Sequence, residues 1–178
     1  MSLEQELVKV VKKLKGNLIT IDVTNDKILE AIDKNKKLDE VYEFTFGGRL
    51  YPKVKNKKYH KKYHIKKMKK YFRKKSINYF MCEISNLKKF FHVFIHDSID
   101  LNNNTIYLYG KKDSYSIKEL KYRYERYGID VEVFENDLGF IMTIKTNKTK
   151  TSRLKNNKYY IRDSFYNIGE AISQILIN

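Results

Sequence analysis

His92 and His96 fall on one side of the stretch "FFHVFIHD" when it is extended, with Phe94 between them and Asp97 directly after. Histidine titrates near neutral pH, and a neighbouring carboxylate can orient it. His96 and Asp97, at the carboxyl end of an expected strand, are therefore candidates for acid–base catalysis. The plainer alternative is a pair of partly buried histidines with satisfied hydrogen bonds. His60 and His64 stand four apart, the spacing of two metal ligands on one helix face. No Glu lies between them in a metalloprotease pattern and no third ligand stands nearby, so they are assigned to a basic surface and no metal site is expected. Cys82 is alone, which excludes a disulfide framework or a thiolate cage; within an apolar run it reads as a small core residue.

The largest signal is electrostatic. "PKVKNKKYHKKYHIKKMKKYFRKK", Pro52 to Lys75, holds thirteen Lys and Arg and no acid, against a net charge of +16 for the whole chain. Helix faces stabilised by i,i+4 ion pairs need Glu, and here there is none. Thirteen cations that repel one another call for a polyanion, and nucleic acid is the commonest. Lys57, Lys58, Lys61, Lys62, Lys66, Lys67, Lys69, Lys70, Arg73 and Lys74 are the expected phosphate contacts. Tyr59, Tyr63 and Tyr71 are interleaved where bases could stack; RNA is expected more than DNA. Solvated decoration, an anionic membrane and a nuclear-localisation signal are the competing assignments. Membrane docking is disfavoured because Ile65, Met68 and Phe72 are few and fit a core-facing stripe.

The elements that must position these groups follow from hydrophobic period. Leu3, Leu7, Val10, Val11 and Leu14 recur at helical spacing, with Gly16 as a stop. No weight is placed on residues 1–3. "NLITIDV" is apolar enough for a strand covered on both faces. Thr24 or Asn25 then caps a short helix through Ile28, Leu29 and Ile32. "LDEVYEFTF" is a second strand, closed by Gly47 and Gly48. "PKVKNKKYH" is expected as an exposed loop, and a helix from about His60 carries the lysines outward. "INYFMCEI", "FFHVFIHD" and "TIYLYG" are three further strands. Ser116 and Glu119 have capping-box spacing at the head of a helix that Gly128 can end. "DVEVFENDLGFIMTIKT" forms a hairpin that sets Val131 and Val133 against Phe140, Met142 and Ile144. The tail, 147–178, is a C-terminal extension, polar at first and then helical.

Strands alternating with helices imply a mostly parallel sheet covered on both faces, here as one α/β domain over 1–178 with a basic insert at 53–75. No secretory leader and no run of about 20 apolar residues is seen, so a soluble, cytoplasmic protein is expected.

This order, ending in strand, helix and β-hairpin, resembles the class I S-adenosylmethionine-dependent methyltransferases over roughly residues 18–146. The resemblance implies a Rossmann-like fold, S-adenosylmethionine as cofactor and methyl transfer at the strand ends. It places the cofactor loop at "DVTND", with Asp22, Thr24 and Asn25, and the ribose-binding acid at Glu43. It puts the third strand's acid at Glu83 and the opening of the fourth-strand motif at Asp97, where Ser98 and Ile99 replace the usual aromatic or Pro. The loop lacks the family's glycines, so side chains stand where the backbone would approach the cofactor. The expected function is therefore a nucleic-acid-binding, methyltransferase-like protein, as an RNA methyltransferase or as a non-catalytic module, with a protein partner as a further expectation.

Overall fold

The computed structural model describes residues 2–44, 59–62, 77–84, 102–112 and 117–146, with backbone alone for 59–62, 102–104 and Arg123. The chain opens with helix α1, Leu3–Lys13. Ser2 caps it: the Ser2 hydroxyl accepts from the Gln5 amide at 3.2 Å and Gln5 Oε1 accepts from the Ser2 amide at 3.0 Å. A residue given no weight in the sequence thus closes a capping box. Strand β1, Gly16–Ile21, leads to helix α2, Asp26–Lys34, whose N-cap is Asn25, and then to β2, Leu38–Phe44.

Strand β3 is Tyr59–Lys62, which corrects the expectation of a loop turning into a helix at about His60. It runs parallel to β2, with Tyr59 level with Val41 and Lys62 level with Phe44. β4 is Ile77–Glu83 and β5 is Asn102–Gly110. These two pair directly and in parallel. The strand expected at 90–97, the helix expected beyond Lys62, the closing glycines Gly47 and Gly48, Ser116 and the extension 147–178 all lie outside the described residues. Helix α3, Ile117–Glu125, and the antiparallel strands β6, Asp130–Asn136, and β7, Gly139–Lys145, complete the fold.

Among the described residues the strands lie in the order β3-β2-β1-β4-β5-β7-β6. All neighbours are parallel up to β5; β7 then enters antiparallel between β5 and β6. The hairpin register sets Val131 against Ile144 and Val133 against Met142. Its turn is tied by Asn136 Oδ1, which accepts from the Leu138 and Gly139 amides at 3.0 and 3.1 Å.

Period-2 alternation divides the sheet's side chains between two cores. Leu18, Val41, Met81 and Ile141 pack under α1 and α2 with Leu7, Val11, Ile28 and Ile32. Ile19, Phe44, Phe80, Leu108 and Phe140 pack under α3 with Leu120 and Tyr124. The sheet is therefore covered from both sides. Each large side chain buried here contributes about 1.5–3 kcal/mol, more than the net worth of a single hydrogen bond in the loops.

Two glycines hold conformations that other residues resist. Gly128, φ +74, ends α3: its amide donates to Glu125 O at 2.8 Å and the Ile129 amide to Tyr124 O at 3.4 Å. Those two bonds make a Schellman motif, as the sequence predicts. Gly16, φ +89, opens β1 instead of closing α1, and a Cβ there would collide with the Asn78 side chain. Asn78 Oδ1 accepts from the Asn17 amide at 2.9 Å and would have to surrender that bond. Gly128→Ala, with open space around it, is expected to cost about 1 kcal/mol from backbone conformation alone. Gly16→Ala is expected to cost distinctly more. Urea unfolding of the two variants checks the order, which equal losses would contradict.

Candidate functional site at the carboxyl ends of the strands

β1 lies between β2 and β4, and all three run in parallel, so their carboxyl ends stand side by side. The acids Asp22, Glu43 and Glu83 terminate these three strands. The Asp22 amide donates to Phe44 O at 3.1 Å, which pins the end of β1 to that of β2. Glu43 is level with Thr20 across the β1–β2 ladder, and Met81 is level with Thr20 on the other side. Asp22 and Glu43 are 2% and 4% exposed, a burial that carboxylates seldom tolerate without a purpose or a partner. Thr20 is fully buried, and its hydroxyl has no hydrogen-bond partner among the described residues. Such a group costs roughly 1–3 kcal/mol. The sequence gives little sign of Thr20, whose hydroxyl passes as part of a β-branched strand.

The loop after β1 adopts its shape without glycine. Asp22 takes φ +50, the left-handed region that a glycine-free loop is expected to avoid. Asp is one of the few residues that enters it at modest cost. Val23 is buried in the core beneath α2. The Thr24 hydroxyl and amide both donate to Glu83 Oε2, at 3.0 and 3.4 Å. The Tyr109 hydroxyl, at the end of β5, donates to the same oxygen at 3.5 Å. Asn25 Oδ1 accepts from the Lys27 and Ile28 amides at 3.0 and 3.2 Å, and its Nδ2 donates to Glu4 Oε2 at 3.1 Å. Lys27 Nζ reaches Glu4 Oε1 at 2.7 Å and holds the Glu4 carboxyl below the ordinary range, with Asn25 assisting. Of the two candidate caps, Asn25 does the capping.

The structure therefore brings Asp22, Thr24, Asn25, Glu43 and Glu83 to one end of the sheet. Glu83 closes the fourth strand in chain order, not the third, because the third is β3. Asp97, expected at the opening of the fourth-strand motif, and His96 lie outside the described residues. So do Lys57, Lys58, Lys66, Lys67, Lys69, Lys70, Arg73 and Lys74. Lys61 and Lys62 lie in β3, which ends level with Phe44 at this same carboxyl end. Tyr109 and Glu4 are missed by sequence reasoning; the only signal for Tyr109 is its place just before Gly110. Among the described residues no group of three His, Cys, Asp or Glu could hold a metal ion, and no helix is long and apolar enough to cross a membrane.

No family model and no curated protein matches the sequence. Solved structures do match. TrmK of M. capricolum in complex with S-adenosyl-homocysteine is 11% identical, with a TM-score of 0.56 over 83% of this chain and 69% of that one. A human methyltransferase 10 domain containing protein is 11% identical, with a TM-score of 0.59 over 81% of each chain. The N-terminal domain of human METTL16, also with S-adenosyl-homocysteine, is 11% identical, with a TM-score of 0.57 over 80% of this chain and 67% of that one. The fold is class I methyltransferase-like. The donor set of this methyltransferase-like chain suits a cationic, hydroxyl-bearing cofactor in its carboxylates and in the orphaned Thr20 hydroxyl. Its loop is less suited, since Cβ atoms stand throughout 22–26 and Thr24 and Asn25 are engaged within the protein.

Cys82 lies beneath this site, fully buried, with its thiol 3.7 Å from Glu83 O. Burial first, then the charges of Asp22 and Glu83, push its pKa well above the usual thiol value. The native state therefore keeps its proton where the unfolded chain has lost it. That contribution is complete below about pH 8.5 and is lost as the pH rises further, at up to about 1.4 kcal/mol per pH unit. The native thiol is expected to resist a thiol-specific disulfide reagent at pH 8 and to react fully in denaturant. Between about pH 8.5 and 9.5, Cys82→Ala should flatten the fall in stability; an unchanged slope would assign it to other groups.

Proposed function

We propose that the chain is an RNA-binding protein built on the methyltransferase fold, taking S-adenosylmethionine over the ends of β1, β2 and β4. One observation carries the reading: β3, the described part of the basic segment, runs parallel to β2 and ends at Lys62 level with Phe44, on the side that holds Asp22, Glu43 and Glu83. An RNA neutralised by that segment would lie close to the acid-lined strand ends. In this reading Glu43 holds the ribose hydroxyls, while Asp22 and Glu83 face the cationic part of the cofactor. The cofactor supplies an electrophilic methyl group. The protein's part is to bind and orient both molecules and to exclude water. RNA is preferred to DNA because unstacked bases could rest on the tyrosines among the lysines.

A second reading, a non-catalytic RNA-binding or assembly module, is favoured by the loop, where Thr24 is tied to Glu83 and no glycine is present. Thermal unfolding with S-adenosylmethionine separates the two. At ~100 times its Kd the cofactor should stabilise by about 2.7 kcal/mol, and Glu43→Gln should abolish most of that gain. No shift at millimolar cofactor would leave the non-catalytic module. RNA binding is tested by salt. About six phosphate contacts on a duplex should give a log–log slope near −5. Replacing half of the lysines in 53–75 by glutamine should make the slope markedly shallower. Affinity indifferent to both would remove nucleic acid from the account.

A further inference from the structure

The opposite end of the sheet carries a cationic surface outside the segment 53–75. The last turns of α1 and α2 and the turn into β2 enclose a concavity of about 360 Å³. Ala31 and Asn35 form its floor, and Lys12, Lys34, Lys36 and Lys37 its rim. Lys34 is engaged with Glu30. Lys12, Lys36 and Lys37 are exposed and enter no ion pair among the described residues. Asp33, on α2, also acts on Lys34, and Asp39 and Glu40 follow Lys37 closely in β2.

Lysines at helix C-termini often serve the helix, by complementing its dipole or bonding its last carbonyls. On α1 two of those carbonyls have a partner already. Asn35, only 9% exposed, donates through Nδ2 to Val11 O at 2.7 Å and Leu14 O at 3.0 Å. Its Oδ1 accepts from the Lys37 amide at 2.9 Å, and Lys37 O accepts from the Gly16 amide at 3.0 Å. The same buried side chain thus satisfies α1 and fixes the backbone that presents Lys36 and Lys37. Three lysines that enter no ion pair among the described residues are thus presented from α1 and from the turn into β2 around one concavity, a set of charges that an anion would complement.

We propose that this concavity is a second RNA contact, in which Lys12, Lys36 and Lys37 neutralise backbone phosphates at the amino ends of β1 and β2. The proposal rests on the RNA reading above and goes beyond it by placing an anchor at the far end of the sheet. β1 has six residues, so the two ends lie roughly 20 Å apart. The anchor would engage a stretch of RNA distinct from the one at the carboxyl ends.

The test is RNA binding by the full chain, read by fluorescence anisotropy with a single-stranded oligonucleotide of about 20 nucleotides. The variant Lys12→Gln/Lys36→Gln/Lys37→Gln should bind about tenfold more weakly at about 50 mM salt. Its log–log salt slope should be shallower by about 2, three contacts at roughly 0.7 each. Lys118→Gln on α3 should change neither. Bound RNA should also protect Lys12, Lys36 and Lys37 of the unsubstituted chain from acetylation, a readout that needs no variant. Unchanged binding and no protection would overturn the anchor while leaving RNA binding through 53–75 intact. A chain that binds no RNA at all would overturn both. Loss of binding to phosphatidylserine vesicles with RNA affinity unchanged would make the surface a membrane contact and overturn the proposal.

Discussion

Parallel pairing of β1 with both β2 and β4 is the constraint on which the rest depends. Parallel ladders force every connection to cross over a face, so helices must cover the sheet and the carboxyl ends must gather on one rim. Asp22, Glu43 and Glu83 are far apart in sequence and neighbours in space for this reason alone. The same geometry brings the end of β3, at Lys62, level with Phe44 on that rim. It also leaves the amino ends of the strands to a separate surface, framed by α1, α2 and Asn35.

Where the sequence is periodic, the elements can be read from it. The stripe Leu7, Val11 and Leu14, the run Leu18 to Ile21 and the alternation through Val131 and Val133 all have the period their elements require. β3 is illegible for the converse reason. Tyr-His-Lys-Lys has no apolar alternation, and an edge strand four residues long needs only backbone pairing to β2. That single omission shifts the strand count and moves Glu83 from the third strand to the fourth. The candidate site is legible in its acids, which stand just where apolar runs end. It is not legible in its ties, because the bonds of Thr24 and Tyr109 to Glu83 join residues 59 and 26 positions apart. Asn35 is equally silent in sequence, where it passes for an ordinary helix stop.

The loop after β1 shows how a glycine can be dispensed with. Asp22 accepts the left-handed conformation, and the two bonds from Thr24 to Glu83 hold the following residues in place. Each such bond is worth on the order of 1 kcal/mol, comparable with the cost of the unusual φ, so the exchange is close to neutral for stability. What changes is rigidity and access. A carboxylate that must keep Thr24 in position is less available to anything arriving from outside.

The hairpin has a bearing on how the molecule behaves in concentrated solution. Among the described residues β6 lies last in the strand order and pairs with β7, and an edge strand of that kind is a template for a further strand. Asp130, Glu132 and Glu135 punctuate that margin. Glu132 pairs with Lys145 at 2.6 Å and Glu135 with Lys112 at 3.3 Å, so the margin is charged and largely neutralised within the molecule. A strand arriving at this edge would have to desolvate those ion pairs, a cost that an apolar margin would not impose.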